Sequence, residues 1–141
     1  MKNMKIDIIA GARPNFVKIA ALITSIHKDP DKKISFRLIH TGQHYDTSLS
    51  ENFFEQLNIP EPDINFGVGS GSQAQQTAFI MKAYEELLEK EKPSLTVVVG
   101  DVTSSMACAI TAKKMQVMVA HIEAGLRSYD WSMPEEVNRV L

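Results

Sequence analysis

The sequence lacks the residues and runs that would place it outside the ordinary globular class. Its single cysteine, Cys108, cannot form a disulfide framework, which favours a reducing compartment. No apolar run approaches the roughly 18 residues that a membrane span needs, and no targeting peptide is apparent. The 15 Lys and Arg and 17 Asp and Glu leave a net charge of −2, which gives no general attraction to nucleic acid or an anionic membrane. We therefore expect a cytoplasmic protein in which any anion site is local.

Sequence motifs for the common cofactors are also missing. Neither the paired Cys and His spacing of zinc sites nor a P-loop lysine motif occurs. The glycines of residues 67–72 stand at positions 67, 69 and 71, a spacing that differs from G-x-G-x-x-G, and no clear strand precedes them. His40, His44 and His121 come from three separate loops or strands, which does not favour a three-histidine metal site. The sequence predicts no metal and no nicotinamide or flavin cofactor.

Short apolar runs alternate with helical patterns along the chain. Strands are predicted at residues 6–10, 34–39, 95–99 and 117–122. The intervening segments predict helices at residues 16–27, 48–57, 73–90 and 104–115. Near-continuous Val and Ile runs are typical of parallel strands that are covered on both faces. With 141 residues, we expect one α/β domain built on a parallel sheet.

The last residues predict the start of a further helix. Pro134 suits the first helical turn, and Glu135 and Glu136 suit the positive end of the helix dipole. The chain reaches Leu141 within two turns, and a helix of that length is marginal by itself. We therefore expect the chain to be a piece of a longer protein.

Polar residues collect where the predicted strands end, which is where parallel sheets bind ligands. The segments concerned are residues 11–18, 41–44, 100–105 and 121–127. Arg13 and Lys18 could direct two cations at a phosphate beside helix amides. The alternative is a solvated Arg13 and a Lys18 whose stem covers apolar surface. His44 is either a general base or a hydrogen-bonding loop residue.

Three carboxylates are predicted to meet at the same edge. Glu123 ends the last strand and Glu135 opens the last helix, so the loop between them can bring both toward Asp101. Several carboxylates in one site can supply both a proton donor and a proton acceptor. Three alternatives stay open: Asp101 caps the next helix, Glu135 and Glu136 only complement the helix dipole, or Glu123 pairs with Arg127 on the surface.

Five motifs together give the chain a family resemblance. They are Gly11-x-Arg13-Pro14 with Lys18, Thr41-Gly42-Gln43-His44, Gly100-Asp101-x-Thr103-Ser104, HIEAGLR at residues 121–127, and Pro134-Glu135-Glu136-x-Asn138-Arg139. In this order, over essentially the whole chain, they resemble the bacterial non-hydrolysing UDP-N-acetylglucosamine 2-epimerases. The resemblance implies a Rossmann-like, doubly wound parallel sheet, the N-terminal half of a two-domain fold of the glycosyltransferase-B type. Residues 1–141 would be that N-terminal domain, and the C-terminal UDP-binding domain would be absent from this chain.

The family that the chain resembles interconverts UDP-N-acetylglucosamine and UDP-N-acetylmannosamine without NAD or metal. Anti elimination of UDP gives 2-acetamidoglucal, and UDP adds back after the C2 proton has been replaced on the other face. The implied acid/base carboxylates are Asp101, Glu123 and Glu135, and the implied substrate-binding cations are Arg13, Lys18 and Arg139. Which carboxylate takes which proton stays open. Because half of the fold would be missing, we expect the isolated chain to be inactive.

The resemblance also bears on regulation, assembly and substrate. Some family members hold an activating second UDP-N-acetylglucosamine, so Gln43, His44 and Glu136 are candidate allosteric residues. Asn15 and Phe16 stand where many members have Glu-Ala or Glu-Ile, which we interpret as subfamily variation. In the loop of Gln43 and His44, Tyr45 stands where several members have Arg. The resembled enzymes are commonly homodimers. Alternatives are a hydrolysing 2-epimerase, an epimerase for a modified UDP-sugar, a glycosyltransferase of the same fold, or a nucleotide-binding module without activity.

Overall fold

The computed structural model describes residues 4–31, 33–42 and 51–141, and in this part of the chain five strands form one parallel sheet. The strands are β1 (Met4–Ala10), β2 (Ile34–His40), β3 (Ile64–Asn65), β4 (Leu95–Val99) and β5 (Met118–Ile122). Their order across the sheet is β3-β2-β1-β4-β5, and each neighbouring pair is parallel. The predicted parallel sheet is confirmed, whereas Gln43 and His44 lie outside the described residues.

Helices connect and follow these strands. They are α1 (Arg13–His27), α2 (Glu51–Leu57), α3 (Gln73–Lys90), α4 (Thr103–Lys114) and α5 (Pro134–Val140). The predicted bounds of α3 and β4 are confirmed, and those of β1, α1, β2, α4 and β5 differ by one to three residues. The end of α2 at Leu57 is confirmed, whereas its predicted start lies outside the described residues. None of the described helices is long and apolar enough to cross a membrane.

The sequence analysis missed β3, and its expectation that no strand precedes the glycines of residues 67–72 is wrong. The strand has only two residues, which pair with Ile39 and His40 of β2. An alternating pattern needs four or more residues to be recognised. Pairing with a neighbouring strand, and not the local sequence, therefore makes this segment a strand.

Helices cover both faces of the sheet. On one face, Ile8 of β1 belongs to a buried cluster with Phe16 of α1. On the other face, Ile9 of β1 belongs to a cluster with Tyr84 of α3 and Cys108 of α4. Consecutive residues of β1 thus pack against different helix layers, because side chains alternate along a strand. The doubly wound arrangement that the resemblance implies is therefore present.

The chain crosses over in the sheet between β1 and β4. It runs outward from β1 to β2 and β3, then returns to form β4 on the other side of β1. Because α1 and α4 lie on opposite faces, the loops that lead into them diverge. A crevice forms where loops diverge in this way, at the carboxyl ends of the two strands, and ligands of doubly wound proteins bind there.

A close contact holds this edge of the sheet together. A Cβ atom on Gly11 would lie 2.3 Å from Ser104 Oγ and 2.6 Å from Ser104 Cβ, so only glycine fits. Ser104 Oγ also lies 2.7 Å from Thr41 Oγ1, in a hydrogen bond that joins α4 to the end of β2. The ends of β1, β2 and β4 are thereby kept in contact.

A buried ion pair sits deeper in the sheet. Asp7 of β1 is fully buried and accepts hydrogen bonds from Arg37 Nε at 2.9 Å and Nη2 at 2.8 Å. These residues are direct partners in the pairing of β1 with β2. The Tyr84 hydroxyl donates to Asp7 at 3.0 Å and lies 2.8 Å from Thr96 Oγ1. The network links three strands to α3, and removal of one partner would leave a buried charge without its counter-ion.

Candidate active site

A cavity of about 310 Å³ opens where β4 and β5 end. Its wall includes Lys18 of α1, Gly100 and Asp101 after β4, His121 and Glu123 at the end of β5, and Arg139 of α5. The structure thus brings together four of the six residues predicted to be catalytic or substrate-binding. They reach the cavity from separate elements that the sheet order places side by side.

Asp101 and Arg139 form one ion pair of the cavity. Arg139 Nη2 and Nε lie 2.6 and 2.9 Å from Asp101 Oδ2. The pair raises the pKa of Arg139, with a smaller contribution from Glu136. The side chain of Asn138 donates to the backbone carbonyl of Asp101 at 2.8 Å. The alternative that Asp101 caps α4 is wrong, because the cap residue is Val102 and no side chain caps that helix.

Lys18 and Glu123 form a second ion pair, from Lys18 Nζ to Glu123 Oε2. It spans the crevice between α1 and the end of β5, and the two side chains are 40% and 37% exposed. Glu123 has a φ of 63°, in the left-handed region that residues with a side chain rarely adopt. Such conformations cluster at functional sites. The alternative that Glu123 pairs with Arg127 is wrong, because Arg127 donates to Glu136.

Glu136 holds the loop after β5 against α5. Its side chain has no exposed surface and accepts hydrogen bonds from Ser128 N at 2.9 Å and Arg127 Nε at 2.6 Å. Arg139 Nη1 donates to it at 3.2 Å. The backbone N–H of Ser128, helped by the two arginines and opposed by burial, lowers the pKa of Glu136 to about 2. The alternative that Glu136 only complements the helix dipole is therefore wrong.

Two predicted site residues are not among the described residues that line the cavity. Arg13 is exposed at the start of α1, with Cζ 4.7 Å from the centre of the Phe53 ring in a cation–π contact. Glu135 is half-buried in α5 and makes no hydrogen bond or ion pair with any described residue. Both remain predictions as site residues.

The sequence analysis missed the role of Asn15. Its buried Oδ1 accepts hydrogen bonds from the backbone N–H groups of Gly11 and Ala12, each at 3.0 Å, and its Nδ2 donates to the Val99 carbonyl at 3.3 Å. Asn15 thereby ties the loop after β1 to the end of β4. It also occupies two amides beside the predicted phosphate site. A side-chain amide that both accepts and donates, just after a strand-ending glycine, was the available signal.

His121 also has a contact that the sequence analysis did not predict. Its Nε2 lies 2.6 Å from the carbonyl oxygen of Gly100, so the ring links the ends of β5 and β4. Since a carbonyl can only accept, Nε2 carries the proton. In residues 4–31, 33–42 and 51–141, no group of three or more His, Cys, Asp or Glu side chains is arranged to hold a metal ion.

Comparison with known proteins assigns the chain to a family. The sequence profile of the family described as UDP-N-acetylglucosamine 2-epimerase matches residues 26–141. The chain belongs to the UDP-N-acetylglucosamine 2-epimerase family. The match includes Asp101, Glu123, Glu135 and Arg139, whereas Lys18 precedes it.

Individual relatives extend the match over nearly the whole chain. A UDP-N-acetylglucosamine 2-epimerase homolog of Methanococcus maripaludis is 49% identical over 138 residues, which cover 98% of this chain and 38% of the relative. A UDP-2,3-diacetamido-2,3-dideoxy-D-glucuronate 2-epimerase of Pseudomonas aeruginosa is 45% identical, with 98% and 38% covered. The crystal structure of Methanocaldococcus jannaschii UDP-GlcNAc 2-epimerase in complex with UDP-GlcNAc and UDP is 44% identical. It superposes with a TM-score of 0.89 over 97% of this chain and 37% of that one.

These comparisons confirm the predicted family and the α/β fold. The chain spans a little over a third of the length of these three relatives.

Proposed function

We propose that this chain forms part of an enzyme that inverts C2 of a UDP-activated 2-acetamido sugar. The enzyme would interconvert UDP-N-acetylglucosamine and UDP-N-acetylmannosamine by anti elimination of UDP and its re-addition to 2-acetamidoglucal. The observation that carries the proposal is that two cations and two carboxylates surround one cavity in a chain of this family. Both kinds of group are needed, because a proton leaves C2 while a diphosphate leaves C1.

The cations are proposed to stabilise the departing diphosphate. Lys18 and Arg139 reach the cavity from opposite sides, α1 and α5. Arg139 presents a planar set of donors that suits phosphate oxygens, and Lys18 acts as a mobile point charge. Arg13 is proposed to join them, because its guanidinium is exposed at the start of the same helix as Lys18.

The carboxylates are proposed to move the C2 proton. Among the described residues Glu123 has one partner, a half-exposed lysine, so its carboxylate can be released toward a substrate. Asp101 accepts two hydrogen bonds from Arg139 and is held more firmly. Glu135 is the third candidate, and it has no partner among the described residues. The assignment of each proton to one carboxylate is open.

A second class of substrate is favoured by one relative. The Pseudomonas aeruginosa protein is named for a UDP-sugar with a second acetamido group and a carboxylate, and its identity of 45% matches the 44% of the UDP-GlcNAc 2-epimerase structure. The acetamido group at C2 is common to both sugars. UDP-sugars with further substituents at C3 and C6 are therefore included as candidate substrates.

The proposed activity requires more protein than these 141 residues. We propose that the chain is the N-terminal domain of a two-domain enzyme, because it spans a little over a third of its relatives. The remaining length would supply most UDP contacts, and the isolated chain would be inactive. A homodimeric assembly and a cytoplasmic location are proposed on the same resemblance.

The test is proton NMR in D2O with UDP-N-acetylglucosamine and the enzyme at the full length of its relatives. We expect deuterium at C2 and accumulation of UDP-N-acetylmannosamine, with no added NAD or metal. Free N-acetylmannosamine would instead indicate a hydrolysing enzyme, and transfer to an acceptor without C2 exchange would indicate a glycosyltransferase. No C2 exchange with either class of UDP-sugar would refute the proposal.

Matched variants test the roles. Asp101→Asn and Glu123→Gln should each slow C2 exchange by about 10²- to 10⁴-fold, the usual contribution of a general acid or base. Glu61→Gln removes the same charge from an exposed loop and should leave the rate unchanged. Near-normal exchange in both site variants would show that these carboxylates do not carry the proton.

A further inference from the structure

The Lys, Arg, Asp and Glu side chains that line the described part of the cavity are paired with each other. Lys18 is paired with Glu123, and Arg139 is paired with Asp101, so the charges of these two pairs cancel. The diphosphate of a UDP-sugar carries two negative charges, so a ligand that left both pairs intact would bring its charge next to two carboxylates. A cation that changed partner would let the cavity bind the diphosphate more favourably.

The cations of the two ion pairs, Arg139 and Lys18, differ in how firmly their partners hold them. Arg139 donates to Asp101 at 2.6 and 2.9 Å and to buried Glu136 at 3.2 Å, and only 18% of its side chain is exposed. Lys18 has Glu123 as its one partner among the described residues, and 40% of its side chain is exposed. Exposed ion pairs are weak, whereas an arginine fixed by two carboxylates is not easily displaced. Lys18 is therefore the cation that can change partner.

The surroundings of Glu123 allow its carboxylate to move. A Cβ atom on Gly100 would lie 3.9 Å from Glu123 Oε2, so glycine leaves space beside the carboxylate. The side chain of Glu123 is 37% exposed and borders the cavity.

We propose that the diphosphate of the nucleotide sugar replaces Glu123 as the counter-ion of Lys18, and that this exchange releases Glu123 to act on the sugar. The inference rests on the proposed function and adds an order of events to it. While Lys18 holds the carboxylate, its Oε2 atom is occupied by the ammonium group and is not free to accept a proton from the sugar. A sugar without a diphosphate would leave Glu123 paired with Lys18, so that Glu123 could not act on the sugar.

The experiment is an NMR titration of the enzyme, at the full length of its relatives, with inorganic pyrophosphate. Glu123→Gln should bind pyrophosphate about three- to tenfold more tightly than the wild type, because Lys18 is released and a nearby negative charge is removed. Glu61→Gln is the matched control. It removes one exposed carboxylate that holds no cation among the described residues, so its gain should stay below about twofold. In Lys18→Met/Glu123→Gln, the gain should disappear.

Three results would overturn the exchange. They are equal or weaker binding by Glu123→Gln, equal gains from Glu123→Gln and Glu61→Gln, and no saturable binding by either the wild type or Glu123→Gln. If C2 exchange occurs in the whole enzyme but Glu123→Gln does not bind more tightly, only the inference fails. If Glu123→Gln binds more tightly but no UDP-sugar exchanges at C2, the epimerase proposal fails while the exchange of counter-ions stands.

Discussion

Replacement of Gly11 by alanine should destabilise the chain by about 2–3 kcal/mol, in the upper part of the range for overpacked interiors. The new Cβ would lie 2.3 Å from Ser104 Oγ and 2.6 Å from Ser104 Cβ, whereas an ordinary contact is 3.4–4 Å. A rotation of the Ser104 hydroxyl could relieve the first overlap. The second overlap is with an atom fixed to the backbone of α4, so the loop after β1 or the helix must move by about 1 Å. The movement would separate the loop that leads into α1, the helix of Lys18, from the turn that carries Asp101.

Urea unfolding followed by circular dichroism measures this effect, provided that the slope of the free energy against urea is unchanged. Gly71→Ala is the matched control, since its Cβ would have its nearest neighbours at 3.4 and 3.6 Å. We expect it to be neutral or to stabilise by up to about 1 kcal/mol, because alanine restricts the unfolded chain. Ser104→Gly removes both overlapping atoms, so Gly11→Ala should cost much less in that background. A loss of under about 0.5 kcal/mol for Gly11→Ala, or purely additive effects in the double variant, would refute the steric argument.

Three further predictions concern buried polar groups. Arg37→Met leaves the carboxylate of fully buried Asp7 without its counter-ion and should cost about 3–5 kcal/mol in chemical denaturation. Asp7→Asn in that background should recover part of the loss, and no recovery would contradict the assignment. Asn15→Ala leaves two loop amides unsatisfied and should cost about 1–3 kcal/mol, whereas Asn15→Asp, which keeps the accepting oxygen, should cost less. Glu136→Gln should lower stability most above about pH 4.5. The pKa of Glu136 is about 2 in the folded chain, below its ordinary 4.5, so its stabilisation is lost as the pH falls through this window. Unfolding midpoints of both proteins should converge toward pH 2, and a constant difference would exclude this linkage.

The layout of the fold could be predicted from local patterns. Residues 73–90 and 95–99 were predicted with their observed bounds, because the signals that end them are close in sequence. Ser72 caps α3 by accepting from the backbone of Gln75, and Pro93 prevents the helix from continuing. Strand β3 carries no such signal, since it exists only through its pairing with β2. The elements predicted with their observed bounds are therefore those whose ends are marked by residues nearby in the sequence.

The residue types of the candidate site could also be predicted, but their partners could not. Lys18 and Glu123 are 105 positions apart, and Arg139 and Asp101 are 38 apart. One alternative paired Glu123 with Arg127, which is close in sequence. Glu136 binds that arginine instead, and the carboxylate of Glu123 meets α1. By itself the sequence determined four of the charged groups that line the cavity, Lys18, Asp101, Glu123 and Arg139. Only the tertiary structure decided their pairing, because an ion pair forms between groups that the fold brings close, whatever their separation along the chain.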